Sequence, residues 1–426
     1  MKYVLLQKAT TLPKKKILIW DLSYAAEHAK RIAEDGHSVY FFTEWLEPLP
    51  KFTRYSTGLG LNGVIRVKNF YDYIDKVDLI AFMFIGRGDL ASWLRSKGYL
   101  VYGAGRGERL ETDRIYAKKI QKEAGLPVQP YEVFNSVDDV LNYIKKGGGD
   151  KFVKINIFRG DLESFKVIDY DTAELLLNTF KVSLGPYSDS FQFLVEDKID
   201  SIVETGFDLF FNGRQFLKPY LWGYMTGRYY IGKYSDTLPA PLALVAEKIT
   251  PYLQNLDYRG SISVEVIIDE KRTPYIIDWT CRFPYPLSYI YTQSMRNYSD
   301  VIWAVASGEN IEIQTEAEYV GCLQLLTTAT NPIKSWVKVN FPKSIESNIK
   351  LKQLSRVRNK NYTMPGEELE VAVVVTSKDN PRAVLSDLES LSKKIDTASI
   401  DAGEIIGSKN NVLKLIETGK AVGLEF

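Results

Sequence analysis

Glu265, Asp278 and Arg282 are the residues of this chain best placed to do chemistry. Residues 264–268 and 275–279 are rich in β-branched and aromatic side chains, and the polar run 269–274 between them reads as a hairpin turn. That arrangement predicts Glu265 and Asp278 on neighbouring strands. Magnesium takes one or two carboxylates and fills its other positions with water and nucleotide phosphate oxygens, so two such acids with a nearby arginine suit a bound triphosphate. Ordinary charge pairing across a hairpin would place the same residues together.

The elements that must position these groups fall into three regions. From residue 16, apolar strands (17–20, 38–42, 79–84, 100–102) alternate with helical segments (23–35, 89–97), the pattern of a parallel sheet covered on both faces. Residues 1–103 are therefore expected to form a small doubly wound, Rossmann-like α/β domain. A helix over 111–124 follows, closed by Gly125 and Pro127. Strands are expected at 128–134, 152–157 and 191–196, with a helix at 137–146 and a flexible glycine run at 147–149. Residues 104–310 read as a mixed α+β region ending in the acidic hairpin. The remainder, 311–426, has strand signals at 320–326 and 369–376, a helix at 381–393 and a helix-containing tail from 394. It reads as a small α+β domain. The charges at 356–360 read as a solvated loop.

Composition narrows the function. The 426 residues suggest two to four domains. Net charge is +1, with 54 basic and 53 acidic residues, which points to neither nucleic acid nor a membrane surface. Two cysteines, Cys281 and Cys322, cannot build a disulfide framework, and two histidines, His28 and His37, make zinc chemistry a poor fit. The apolar run after Lys14, Lys15 and Lys16 is too short for a secretion signal, and no stretch approaches the ~20 apolar residues of a membrane span. A cytoplasmic protein is expected, with the oligomeric state left open. No Gly-x-Gly-x-x-Gly follows the first strand, so a nicotinamide-dependent dehydrogenase has little support.

Arg114, Lys154, Glu196, Glu204, Glu265, Asp278 and Arg282, in that order, resemble the ATP-grasp fold and, within it, the phosphoribosylamine-glycine ligase family. The segment holding Gly103, Gly105, Leu110, Glu111, Arg114 and Lys118, then Gly125, Pro127, Tyr131 and Phe134, is similar to that family's Leu-Glu-Gly-Ser-Lys region. Tyr258 and Gly260, then Asp278, Cys281, Arg282 and Phe283, are similar to its Glu-Phe-Asn-Cys-Arg-Phe motif. The resemblance runs weakly along most of the chain.

It implies an N-terminal pre-ATP-grasp domain, a central ATP-grasp fold with a mobile lid at about 128–200, and a small C-terminal domain. It also implies an ATP- and Mg2+-dependent carbon-nitrogen ligase of purine biosynthesis that joins a small carboxylate to an amine through an acyl phosphate. Negative charge develops on phosphoryl oxygens in both steps, so fixed cations supply much of the catalysis. Carried over residue by residue, Arg114 and Lys154 contact phosphate, and the strand ending at Glu196 meets adenine through backbone groups as far as Lys198. Glu204 accepts from the ribose hydroxyls, Glu265 and Asp278 hold the metal, and Arg282 steadies the acyl phosphate.

Three features depart from the family. The glycine-rich turn after the first strand is replaced by Asp21, Leu22, Ser23, Tyr24 and Ala25, with only the Glu27, His28, Ala29 portion kept. Side chains obstruct the backbone approach that such a turn offers a phosphate. His28 is expected to pack rather than act as a base. The glycine-rich loop over the phosphates reads Arg159, Gly160, Asp161, Leu162, Glu163, Ser164, a poor cradle. The family's metal-binding Glu and Asn become Asp278 and Thr280, while Glu265 adds a carboxylate where the family often has a neutral residue. The amine is therefore expected to differ from phosphoribosylamine. A degenerate ATP-grasp protein that binds a nucleotide without ligase turnover remains the alternative.

Overall fold

In the computed structural model, residues 11–44, 57–147, 150–157, 164–327, 336–364, 369–396 and 405–426 are described. The alternating N-terminal segments form a five-stranded parallel sheet in the order Val64–Arg66, Ser38–Thr43, Lys16–Asp21, Leu79–Phe82, Val101–Tyr102. Ile17 to Trp20 are buried, as strands covered on both faces require. Helices Ala26–Glu34 and Gly88–Ser96 follow the strands Lys16–Asp21 and Leu79–Phe82.

The helix expected over 111–124 is two helices, Arg109–Thr112 and Arg114–Glu123. Asp113 separates them in an extended conformation (φ −135°, ψ 93°), and its carboxylate caps the second by accepting from the Tyr116 N–H at 3.0 Å. Beyond it a four-stranded antiparallel sheet runs Tyr131–Phe134, Phe193–Asp197, Lys151–Ile155, Ser164–Lys166. Helices Val137–Gly147 and Tyr170–Leu184 pack on it around Val140, Val153, Leu177 and Phe193, a core of its own. The second of these helices was not anticipated from the sequence. Of the altered glycine-rich loop, residues 159–163 lie outside the described residues, and Ser164 begins the strand Ser164–Lys166.

The largest sheet has eight strands in the order Pro274–Thr280, Arg259–Ile268, Val203–Asn212, Tyr220–Thr226, Tyr229–Ser235, Tyr319–Leu326, Glu370–Lys378, Ile349–Lys350. It crosses residue 311 without interruption, because Tyr319–Leu326 pairs antiparallel with Tyr229–Ser235. Helices Ala240–Asn255 and Pro381–Ser392 and the tail helix Ile405–Ala421 contribute to the core beneath it. The segment 356–360 is largely exposed and turns at Arg358 and Asn359. It joins the strands Ser355–Val357 and Lys360–Thr363, and Arg356 bonds Glu346 at 2.8 Å and Asn361 at 2.9 Å. Among the described residues no helix is long and apolar enough to cross a membrane.

Candidate active site

Strand register decides which acids meet. Glu265 is the cross-strand partner of Asp278 and of Gly206, and residues directly opposite point to one face. Glu204 and Asp208 lie two residues either side of Gly206, so four carboxylates share one face of the large sheet. A bulge follows Glu265: Val266 pairs with Ile276, leaving Ile277 as the extra residue. The Ile277 carbonyl accepts the Lys154 ammonium at 2.9 Å, which ties the smaller sheet to the larger at the bulge.

Between the two sheets lies a cavity of about 350 Å³ lined by Arg114, Lys154, Glu196, Lys198, Glu204, Glu265 and Asp278, together with Gln129, Phe152 and Ile267. Seven of the eight residues singled out in the sequence therefore border one space. Arg282 is the eighth and does not. Its Nε donates to Glu111 Oε1 at 3.1 Å and its guanidinium lies 4.5 Å from the Phe84 ring centre, while the other Glu111 oxygen accepts the Cys281 N–H at 2.6 Å.

The cations stand mainly on the smaller sheet and the helix beneath it. Glu196, 2% exposed, forms ion pairs with Lys154 at 2.9 Å and Lys118 at 3.0 Å, and Lys118 donates to Gln129 at 2.6 Å. Burial pushes the Glu196 pKa up, but Lys154 and Lys118 outweigh it and hold the carboxyl below its ordinary value. Its carboxylate thus serves the lysine pair, and the adenine contact expected of this strand is one of backbone groups. The Asp197 and Lys198 N–H groups donate to Pro130 and Asp150 carbonyls, both at 2.9 Å. Arg114 is buried and donates to the Ile155 carbonyl, not displayed on an open helix face. Lys118 and Glu111 were missed as site residues; the i, i+4 spacing of Arg114 and Lys118 was the available signal.

The acids face the opposite way. The Glu265 side chain is exposed at the cleft surface, yet the cleft walls displace most of the surrounding solvent. This desolvation, with the charges of Asp278, Glu204 and Asp208, pushes its pKa up to about 8 against the pull of Lys154. Desolvation also raises Glu204. Asp208 is fully buried and lifted to about 6, while Ser263 and the Tyr230 hydroxyl, 3.0 Å away, oppose the rise. Among the described residues no three His, Cys, Asp or Glu side chains gather into a metal cage. Glu265 and Asp278 supply two carboxylates in an electrostatically strained pair, a donor set that suits a hard divalent cation completed by water and phosphate oxygens. His28 is buried, hydrogen-bonded to the Tyr298 hydroxyl at 2.7 Å and stacked on Phe283 at 4.4 Å; burial lowers its pKa to about 3.

No family model matches the chain. A search of curated proteins finds no match either. Solved structures do match. Phosphoribosylamine-glycine ligase from Thermotoga maritima superposes with a TM-score of 0.67 at 16% identity, covering 90% of this chain and 98% of that one. The biotin carboxylase domain of 2-oxoglutarate carboxylase from Hydrogenobacter thermophilus, solved with MgADP and bicarbonate, gives 0.67 at 13% identity, covering 96% and 99%. N5-carboxyaminoimidazole ribonucleotide synthetase from Thermotoga maritima gives 0.61 at 15%, covering 90% and 99%. The chain has the ATP-grasp fold.

Proposed function

We propose that this chain is an ATP- and magnesium-dependent carboxylate-amine ligase, similar to phosphoribosylamine-glycine ligase but with a diverged amine, forming an amide through an acyl phosphate. One observation carries the reading: a single cavity has Lys154 and Arg114 on one side and Glu204, Glu265 and Asp278 on the other. A triphosphate needs both, cations for its oxygens and carboxylates for its metal. Magnesium, when bound, neutralises phosphate charge. Glu265 and Asp278 would hold it, and Lys154, steered by Glu196 and the Ile277 carbonyl, would meet the phosphate oxygens. Glu204 suits the ribose hydroxyls, and the segment from Glu196 to Lys198 the base. Pre-positioned charge of this kind is what phosphoryl transfer chiefly requires.

A degenerate, nucleotide-holding protein is the second reading, and Arg282 favours it. Its guanidinium is engaged by Glu111 and Phe84, not turned into the cavity. Release of ADP with magnesium across a panel of amino acids and aminated sugars separates the two. The ligase reading expects ADP formation that depends on both a carboxylate and an amine and collapses in Asp278→Asn. Magnesium-dependent ATP consumption unchanged by that substitution would refute the site as described.

A further inference from the structure

Lys118 stands one turn after Arg114 on the helix Arg114–Glu123, so the two side chains leave the same face. Arg114 lines the cavity between the sheets and Lys118 does not. A wall of two cavity-lining residues covers it. Glu196 Oε1 lies 3.0 Å from the Lys118 ammonium, and Gln129 Oε1 accepts from it at 2.6 Å. Lys118 is 4% exposed, so this wall separates it from anything bound in the cavity.

A cation sealed behind an anion is costly. Burial draws the Lys118 pKa down while Glu196 holds it up. An apolar side chain of similar volume would fill the space without that cost. What the ammonium changes is the charge of the wall. The other Glu196 oxygen, Oε2, lies 2.9 Å from Lys154, which lines the cavity and donates to the Ile277 carbonyl at 2.9 Å. Paired with Lys154 alone, the carboxylate would cancel it and leave the wall neutral. Shared between two lysines, it leaves one positive charge over. Lys118 is fixed behind Glu196, so the surplus falls on the cavity side, at Lys154. Screening is weak in a poorly hydrated wall, and a unit charge several ångströms away still bears on a polyanion.

We propose that Lys118 is a positioning residue for the phosphoryl site: it occupies one oxygen of the Glu196 carboxylate, so that Lys154 keeps the charge that draws a polyphosphate. It acts through Glu196 without touching the nucleotide. The inference rests on the ligase reading for the presence of phosphate at Lys154.

Calorimetric titration of MgADP into the wild type and four variants tests it, with the fold of each variant checked by circular dichroism. Lys118→Met should weaken binding about tenfold. Lys118→Met combined with Glu196→Gln removes cation and anion together and returns the wall to one positive charge. This double variant should bind at least about threefold tighter than Lys118→Met. A purely structural role for Lys118 predicts the reverse, because the double variant has lost more of the buried network. Where Lys118→Met does not fold, Glu196→Gln set against the double variant makes the same comparison, and Lys118 should again be worth about tenfold. A double variant no tighter than Lys118→Met, or a Lys118 substitution without effect in either background, overturns the proposal. Lys154→Met tells the two readings apart. MgADP affinity lost in Lys154→Met but kept in Lys118→Met leaves the ligase site standing and removes only the role of Lys118. Affinity unchanged in Lys154→Met refutes the phosphoryl site and the proposal with it.

Discussion

With Glu265 holding the metal as proposed, metal binding becomes a proton-release reaction. A metal-holding carboxyl must be ionised, yet crowding by desolvation and by Asp278 puts this one near a pKa of about 8. At pH 7 such a group is protonated about 0.9 of the time, and at pH 9 about 0.1, so binding of Mg2+ with nucleotide should expel about 0.9 and about 0.1 proton respectively from this residue. The sign follows from the direction of the shift. The group stays protonated well above the ordinary glutamate range, so metal affinity rises with pH up to about 8 and levels off above it. Calorimetry in buffers of different ionisation enthalpy counts the protons, and Glu265→Gln removes this residue's share while leaving the nucleotide's own. Asp278→Asn removes a like charge, which lowers the Glu265 pKa and shrinks the release at pH 7 even as it weakens the metal. Equal proton counts from wild type and Glu265→Gln at pH 7 would refute the reasoning.

Three further outcomes follow from the same geometry. Glu196→Gln strands Lys118 and Lys154 around an uncharged amide and should cost about 3 kcal/mol in urea unfolding, the low end for a broken buried pair, since each lysine keeps another acceptor. Because the native Glu196 pKa is depressed below the ordinary 4.5, that difference from wild type should be complete above about pH 4.5 and disappear as pH falls through the native value. Lys154→Met should weaken MgADP binding about 10–100-fold, the worth of one charge-assisted contact to phosphate, measured by calorimetry. Gly223→Ala would bring a Cβ to 2.1 Å from the Ile231 carbonyl oxygen inside the large sheet and should lower stability by about 2 kcal/mol or more, seen as an earlier thermal transition.

Local patterning made the acidic face legible, and long-range pairing hid the rest. The hairpin carrying Glu265 and Asp278 could be read because β-branched strands flank a polar turn, and the period-2 alternation then fixes the face. Asp208 shares that face, but its membership depends on the pairing of Val203–Asn212 with Arg259–Ile268, which nothing local announces. Arg282 looked free for a substrate because Glu111 is far off in sequence. Lys118 is buried because the smaller sheet folds over it and brings Glu196, a partner far off in sequence. The helix Tyr170–Leu184 escaped notice because Leu175 and Val182 are exposed, which blurs the apolar period. The break at Asp113 was the reverse case: an aspartate three residues before Tyr116 is an N-cap signal that outweighed the continuous helical pattern.

The most direct test of the whole account is a crystal structure with a non-hydrolysable ATP analogue and Mg2+. The account predicts phosphate oxygens at Lys154, a metal bound by Glu265 and Asp278, and the ribose at Glu204, all within the cavity between the two sheets. A nucleotide bound elsewhere, or a metal that ignores both acids, would contradict it.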